Sequence, residues 1–530
     1  MRIGQELKNS ILSAFFLVMM IVYPLYYDAR NGYQVIGDTK YYFFRNISIL
    51  VVMALLLLVV FDVISQQIDV NIINHYRSLS GTDWFVYGYL LAVLLSYTFT
   101  AFQEEALWGA EGWHMGLISQ LVFTGIYFFL SRYFVWKPRM LYAALIGSGL
   151  VFLLGILNRY SIYPITIQGQ TPTFISTLGN INWFCGYWAV LCPPGVAFYW
   201  KSENKGQQIV AAIYTIIAFM SGVTQGSSSA YLALMGIFLF LFSFSFQENL
   251  KMKRFLELCF LFAISCQIAR VMRYLPGLTL NYEKELGIVL TDSNVTLVAA
   301  CAIALLYVLF LYTEQKRDFS VEKCKMVRTV VWVMIAFAFV GYVVLLIGNT
   351  CIEGGVFGLA GNSLFTFNNT YANSRGATWT SGVSAYQNLS FFKKLIGVGP
   401  DCFAEYIYAV PELAEQVYSQ FGNVRLTNAH NEWLTVLVNT GALGLLSYAG
   451  IFVSAIWRFV KEAKVQPMLY LCAISVLAYT LHNMVSFQQI LNTPYVFIFL
   501  GIGESFVREI YRVRKSLRQS LQNEKETVDK

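Results

Sequence analysis

The chain has 530 residues, of which 57% are apolar and 13% are charged, and its formal net charge is +7. Soluble domains are about 45–50% apolar and about 25% charged, so this composition excludes a soluble enzyme, a disordered protein and a disulfide-stapled secreted domain. The remaining class is a polytopic membrane protein. Its aromatic share of 16% suits the belts of rings that lie at membrane interfaces.

Apolar stretches recur along the whole chain. A spanning helix needs roughly 20 mostly apolar residues, and lipid leaves the backbone no hydrogen-bond partner outside its own helix. The sequence therefore predicts an all-α polytopic integral membrane protein with about 14 transmembrane helices. The predicted spans are 9–27, 44–65, 84–102, 115–135, 141–157, 184–200, 207–224, 227–246, 255–272, 294–313, 329–348, 433–457, 467–485 and 493–507.

The positions of Lys and Arg predict the orientation of these spans. With a cytoplasmic N-terminus, most of the 37 cations fall in inner segments, including Lys316 to Arg328 and the basic tail 508–530. Both termini are therefore expected in the cytoplasm. The net charge of +7 then reflects topology and requires no nucleic-acid partner. No small-residue cleavage site follows the first span, which predicts a retained anchor.

One connection, residues 350–431 between the eleventh and twelfth spans, is much longer than the others and is expected on the extracytoplasmic side. Loops of this length are usually functional or disordered, and the aromatic content favours a folded cap on the membrane surface. We expect one helix over Ser384–Ile396 and a helix or helix pair over Asp401–Phe421, broken at Pro411. A helix buried at an interface is the alternative.

Two sequence features bear on the chemistry of the spans and the loop. Cys351 and Cys402 are either a disulfide or two unrelated small apolar residues. The spans hold almost no ionisable residue at mid-membrane, which weighs against an ion-coupled carrier.

The loop ends with a histidine at the start of a helix that enters the bilayer, in the sequence Thr427–Leu434. An imidazole with a pKa near 6.5 suits proton abstraction at neutral pH, so His430 is a candidate base. A polar residue that completes the helix start beside Asn428 is the alternative. Arg375 and Arg425 in the same loop offer guanidinium groups that bind phosphate oxygens in pairs. For each Arg alone, a structural ion pair or a contact with a lipid headgroup is the favoured interpretation. Together these side chains suggest a site for an anionic donor held in the membrane.

The chain resembles the O-antigen ligase and polymerase superfamily over roughly residues 160–460. The motifs that carry the resemblance are Arg375-x-x-x-Trp379, Gly397-x-Gly399 and His430-Asn431-x-x-Leu434 followed by Gly441-x-x-Gly444. Weaker matches are Gly179–Asn182 and Ala106–Gly109 with Gly116-Leu117. This resemblance divides the chain into N-terminal helices (1–160), a ligase-like core (161–460), C-terminal helices (461–507) and a cytoplasmic tail (508–530).

The resemblance implies a glycosyltransferase of the bacterial plasma membrane. Such an enzyme moves an oligosaccharide from a polyprenyl diphosphate to an acceptor hydroxyl on a glycan, a lipid or a protein. It implies no metal or other cofactor, inversion at the sugar, His430 as the base and Arg375 on the diphosphate. Asn431, beside that base, is a further candidate substrate contact.

The sequence departs from the family at one position, since Ser228 stands where the family has an Arg. Arg270, Arg273 or Arg425 would then compensate. Ser228, within the run Gly226–Ser229, would offer a hydroxyl and backbone N–H groups at a helix start, where anions bind favourably. A plain short turn is the alternative.

Two other readings of the sequence stay open. A lipid-linked oligosaccharide flippase or polysaccharide exporter would move the glycan without forming a bond. A non-catalytic envelope assembly protein would use the basic tail 508–530 as a docking arm. Within the transferase reading, ligation and polymerisation are both compatible with these motifs.

Overall fold

Nearly every apolar segment of the chain forms a helix, because a helix satisfies its backbone polar groups internally. The computed structural model describes residues 3–65, 78–317, 319–359 and 361–528, and about three quarters of it is helical. The described strands form one short antiparallel hairpin, β1 (Phe174–Ile175) and β2 (Gly179–Asn180), in which Phe174 pairs with Asn180.

The first half of the chain contains eleven described α-helices, some joined by short π or 3₁₀ turns at Val18–Val22 and Gly32–Val35. They are α1 (Ile3–Leu17), α2 (Tyr23–Leu25), α3 (Ile36–Ile64), α4 (Gly81–Thr98), α5 (Gln103–Trp108), α6 (Leu117–Tyr133), α7 (Pro138–Arg159), α8 (Ile181–Lys201), α9 (Lys205–Thr224), α10 (Ser228–Ser245) and α11 (Asn249–Arg273).

The second half continues the bundle and adds four short helices between two long ones. Its described α-helices are α12 (Glu285–Thr291), α13 (Val295–Arg317), α14 (Lys325–Cys351), α15 (Tyr371–Asn388), α16 (Phe391–Ile396), α17 (Phe403–Ala409), α18 (Pro411–Phe421), α19 (Glu432–Glu462), α20 (Met468–His482) and α21 (Thr493–Val528), with a 3₁₀ turn at Val321–Cys324.

The predicted span 9–27 covers α1, the π turn at Val18–Val22 and α2, and each of the other predicted spans overlaps one long helix. Within the described ranges, nine helices are long and apolar enough to cross a membrane by length and composition. The prediction of a multi-pass all-α membrane protein is therefore confirmed, while the number fourteen stays a prediction.

The helices differ in how much of their surface is covered. Helix α8 is buried on nearly all sides, and it packs against α20, which is equally buried. Helices α13 and α14 lie at the periphery, and Asn349 is the buried residue described on α14. The apolar faces that these outer helices leave open are those expected of helices that contact lipid.

Residues 352–431, which we call the cap, lie at one end of the bundle, which we call the cap end. Helices α15 to α18 pack around a small core of their own that includes Leu389, Phe403, Ile407 and Val417. The predicted helix pair is present, because Pro411 begins α18 directly after α17 has ended. The single helix expected over Ser384–Ile396 is wrong, because α15 ends at Asn388 and α16 begins only at Phe391. Cys402 is buried in this core and Cys351 is exposed; both are free thiols, so the disulfide alternative is not realised.

The two glycine motifs of the resemblance meet in space. Helix α19 is interrupted at Gly441, whose φ of 69° is left-handed, and a Cβ there would lie 2.3 Å from backbone atoms of Leu395. The break frees the carbonyls of Val438 and Asn439, which accept hydrogen bonds from Val398 N (3.1 Å) and Gly399 N (3.0 Å). Only glycine permits this close approach. The Gly397-x-Gly399 turn is thereby fixed against α19.

Candidate active site

Arg375 is presented by a strained segment of the cap. Ala372, Asn373 and Ser374 have φ values of 49°, 63° and 66°, a left-handed conformation that costs non-glycine residues energy and that clusters at functional sites. The Arg375 side chain is only 9% exposed. Its Nη1 donates to Ala372 O (2.9 Å) and its Nε donates to Val485 O (3.0 Å).

The Arg375 guanidinium has no carboxylate partner among the described residues. Both of its hydrogen bonds go to neutral carbonyls. A buried charge is costly unless it is paired, and this guanidinium is held in place without being neutralised. It therefore retains the capacity to bind an anion.

His430 ends the cap one residue before the N-cap of α19. It too is left-handed (φ 48°), and its backbone N–H donates to Asn428 Oδ1 at 3.0 Å. Its ring meets the Phe487 ring edge-on, with centroids 5.2 Å apart. Burial, together with the positive charge of Arg375, lowers the pKa of His430 to about 4. The imidazole is therefore neutral at neutral pH and can accept a proton.

The segment 483–492 between α20 and α21, which we call the linker, brings these two side chains together. Its Val485 carbonyl receives the Arg375 bond, and its Phe487 ring contacts His430. Its Asn483 carbonyl accepts from Glu432 N at 2.9 Å. One short segment thus fixes the guanidinium and the imidazole relative to each other.

Glu432, the first residue of α19, strengthens this connection. Its fully buried carboxyl accepts hydrogen bonds from Tyr448 (2.5 Å), from Tyr479 (3.0 Å) and from the side-chain amide of Asn483. Gln488 of the linker donates in turn to the Tyr448 hydroxyl at 2.7 Å. This network holds the start of α19, two residues after His430, against the linker.

A second carboxyl, Asp401, follows the glycine turn in a left-handed conformation (φ 59°). Its Oδ2 accepts from the backbone N–H groups of Ala110 (2.8 Å) and Met115 (2.9 Å). Burial raises the pKa of Asp401 to about 7, against the lowering effect of these two donors.

An apolar groove of about 640 Å³ runs between α15 and α19 beside the site. Its walls include Trp379, Val383, Leu434 and Leu437, and Asn431 lies at its edge. Asn431 also caps α19 by accepting from Leu434 N at 3.1 Å. The groove therefore begins next to His430 and is lined mainly by side chains that suit a hydrocarbon chain.

The other predicted substrate-binding residues have different surroundings. Arg425 is more than half exposed and pairs with Glu405. Arg273 pairs with Glu283 and Asp292, and Arg270 bonds Asn294 at 3.0 Å. Ser228 begins α10 and is exposed. None of these four has a described contact with His430 or Arg375, so the structure unites two of the predicted site residues, with Asn431 adjacent.

Sequence reasoning missed the buried partners of the site: Glu432, Asn483, Asp401 and the linker. The sequence does hold one signal for Glu432, because an acid at the first turn of an apolar spanning helix requires burial with donors or exposure to water. The partners that satisfy it lie 16 to 51 residues away along the chain.

These features define a multi-pass helical membrane protein with a folded cap and a site that offers a fixed cation and a neutral imidazole. The family model described as O-antigen ligase matches residues 286–449, and this match supports membership of the O-antigen ligase superfamily. The matched segment includes Arg375, the glycine turn and His430, and it lies inside the predicted core 161–460. No curated protein matches the chain. The same match supports membrane glycan processing of the O-antigen ligase or polymerase type.

Proposed function

We propose that this protein is a membrane glycosyltransferase that moves an oligosaccharide from a polyprenyl diphosphate to a hydroxyl of a glycan or lipid acceptor. The observation that carries the proposal is the buried guanidinium of Arg375, which lacks an acid partner among the described residues and shares the linker with the imidazole of His430. A fixed cation beside a neutral base is what this transfer requires.

In the proposed reaction, the bond between the anomeric carbon and the diphosphate oxygen breaks as the acceptor oxygen attacks the opposite face of the sugar. The configuration inverts, and the acceptor proton passes to His430. Negative charge grows on the departing diphosphate, so a cation that is already in place lowers the barrier. Arg375 supplies that cation. General base catalysis typically contributes about 10²–10⁴-fold.

The groove between α15 and α19 supports a lipid-linked donor. Its apolar walls would receive the prenyl chain, while the diphosphate would lie at the groove edge near Asn431. In this arrangement the cap end faces the extracytoplasmic side, as the distribution of Lys and Arg predicts. Surrounding membrane lipid and the lipid-linked glycan are then the partners of the protein.

The experiment that tests this function uses purified protein in lipid nanodiscs with lipid-linked oligosaccharides extracted from the cells that make it. Mass spectrometry of the products should show glycans longer than the donor, or the donor glycan attached to a co-extracted lipid. Unchanged covalent structures in every product, together with movement of the intact donor across vesicle membranes, would favour the exporter alternative and contradict the proposal.

A further inference from the structure

A small internal cavity lies next to His430 and is not used by the reaction described above. It has a volume of about 30 Å³, and residues from five separate segments of the chain line it. Two of the lining residues also touch His430: Asn428 Oδ1 accepts from its backbone N–H, and the Phe487 ring packs against its ring. The cavity is therefore continuous with the surroundings of the proposed base.

The cavity offers oxygen atoms that lack donors. Both backbone donors to Asp401 bind Oδ2, which leaves Oδ1 for the cavity. Asn439 is 7% exposed, and its Oδ1 has no hydrogen-bond partner among the described residues. A buried acceptor without a donor is rare and costs about 1–3 kcal/mol, so it indicates a missing partner.

Four of the side-chain donors around the cavity are already engaged elsewhere. Gln488 Nε2 donates to Tyr448 (2.7 Å), and Gln120 Nε2 donates to Met115 O (2.9 Å). The hydroxyls of Thr435 and Thr440 donate to backbone carbonyls, each at 2.9 Å. A molecule that binds the free oxygens of Asp401 and Asn439 must bring its own donors.

Aromatic rings form the remaining walls. Tyr89, Trp113 and Phe487 line the cavity, and the Trp113 and Phe487 rings meet edge-on with centroids 4.7 Å apart. Rings beside hydrogen-bond acceptors suit a molecule with both C–H and O–H groups, since aromatic side chains combine apolar surface with specific geometry. Sugars have this character.

We propose that this cavity receives a hydroxyl-bearing edge of the acceptor glycan, through the free oxygens of Asp401 and Asn439. The proposal rests on the proposed function and names the subsite for the second substrate. One buried water needs about 10–15 Å³, so the cavity fits a hydroxyl or hydroxymethyl arm and the body of the sugar stays outside. The acceptor would thus be anchored beside the base that deprotonates it.

Two variants test the cavity. Asp401→Asn keeps an oxygen for the two backbone donors and replaces the free acceptor by an N–H₂ donor. Asn439→Leu removes the second acceptor at similar volume and leaves its backbone carbonyl, which Gly399 N and Ser96 bind, in place. The matched controls are Glu405→Gln, whose carboxyl pairs with Arg425, and Asn388→Leu on the exposed end of α15. Melting temperatures identify any variant that does not fold.

The binding probes are the free oligosaccharides released by mild acid from the membranes of the same cells, and undecaprenyl diphosphate. Saturation-transfer NMR should detect oligosaccharide binding to the wild type. The affinity of each cavity variant for the oligosaccharide should be lower than that of the wild type by about tenfold or more, and the two controls should bind like the wild type. Undecaprenyl diphosphate should bind all five proteins equally, and the acceptor KM should rise in the two cavity variants.

Oligosaccharide binding that is equal in wild type and both folded variants, or absent from the wild type, would overturn the proposal and leave structural water as the occupant. Loss of undecaprenyl diphosphate binding in the cavity variants would also overturn it, because the cavity would then serve the donor. Sensitive oligosaccharide binding without any glycan transfer would support the cavity while contradicting the proposed function. Glycan transfer at the wild-type rate in both variants would support the proposed function and contradict the role of the cavity.

Discussion

Two clusters of charge at opposite ends of the bundle differ in how their cations are neutralised. At the end away from the cap, Asp83 and Glu504 are fully buried and pair with Arg132, Arg458 and Arg508. Every cation in this paired cluster meets a carboxylate. At the cap end, Arg375 meets only backbone carbonyls.

The difference indicates that the paired charges stabilise the fold, whereas the charge of Arg375 is available to a ligand. A buried ion pair is self-contained, and breaking it destabilises the protein by about 3–5 kcal/mol. A buried cation bound only by carbonyls is oriented but not neutralised, so an arriving anion gains the full interaction. The paired cluster should therefore govern stability, and the site at His430 and Arg375 should govern turnover.

Replacement of His430 should produce the largest loss of activity. His430→Ala removes the proposed base and should lower transfer by about 10²–10⁴-fold with little change in melting temperature. The matched control is Asn388→Ala, because Asn388 lies on the exposed end of α15 and does not line the cavity or the groove. That control should leave both the melting temperature and turnover unchanged. Transfer at the wild-type rate in folded His430→Ala protein would contradict the assignment of His430 as the base.

Replacement of an arginine in each cluster should affect different properties, turnover at the cap end and stability in the paired cluster. Arg375→Ala should lower kcat by about 10²–10³-fold, the usual effect of removing one preorganised charge or donor, and Arg375→Lys should restore it only in part because Lys lacks the fork. Arg458→Ala leaves Glu504 without its close partner and should lower the melting temperature instead. Activity assays and thermal unfolding of the same preparations measure both effects, and equal behaviour of the two variants would refute the distinction.

The groove offers a smaller test. Val383→Trp should fill part of the space between α15 and α19 and raise the KM for donors with long prenyl chains by about threefold to tenfold, since each buried CH₂ contributes about 0.8 kcal/mol. Short-chain donors should be less affected. Val453→Trp on α19, which faces a different apolar groove, is the control. An equal effect on long and short donors would argue against a prenyl site.

The pH profile should show the smallest change. His430 must be neutral to act, and its pKa of about 4 keeps it neutral through the range in which an ordinary histidine gains its proton. In the Asp401→Asn background, which removes the group with a pKa near 7, kcat/KM should fall less than about twofold between roughly pH 7.5 and 5.5. Arg375→Gln removes the charge that, together with burial, lowers the pKa of His430. Any decline of kcat/KM at acid pH should therefore begin at a higher pH in this variant. An acid limb of kcat/KM near pH 6.5 that does not move in Arg375→Gln would contradict the lowered pKa of the buried His430 imidazole.

The helices and the main site residues could be predicted from the sequence because their signals are local. Apolar runs give the helix positions, Pro411 gives the break in the cap, and the motifs around Arg375 and His430 place both on one loop. Their meeting on the linker could not be predicted, because Val485 lies 110 residues after Arg375 and carries no side-chain signal.

The predicted roles of Arg270, Arg273 and Arg425 depend on partners that are remote or unremarkable in sequence. Glu283, Asp292 and Glu405 were visible as acids, but only the fold shows that they pair with Arg273 and Arg425. The cavity at Asp401 and Asn439 likewise forms only when the glycine turn meets the break in α19. Contacts between residues far apart in the sequence therefore determine the surroundings of these arginines and of the cavity.

The most direct test of the central claim is the affinity of the protein for undecaprenyl diphosphate, measured for wild type, Arg375→Ala and Arg425→Ala in nanodiscs. We predict that Arg375→Ala weakens binding at least about tenfold, since hydrogen bonds to charged groups contribute about 1.5–3 kcal/mol, while Arg425→Ala binds like the wild type. Equal affinity of wild type and Arg375→Ala would contradict the claim that the unpaired guanidinium is held for the donor diphosphate.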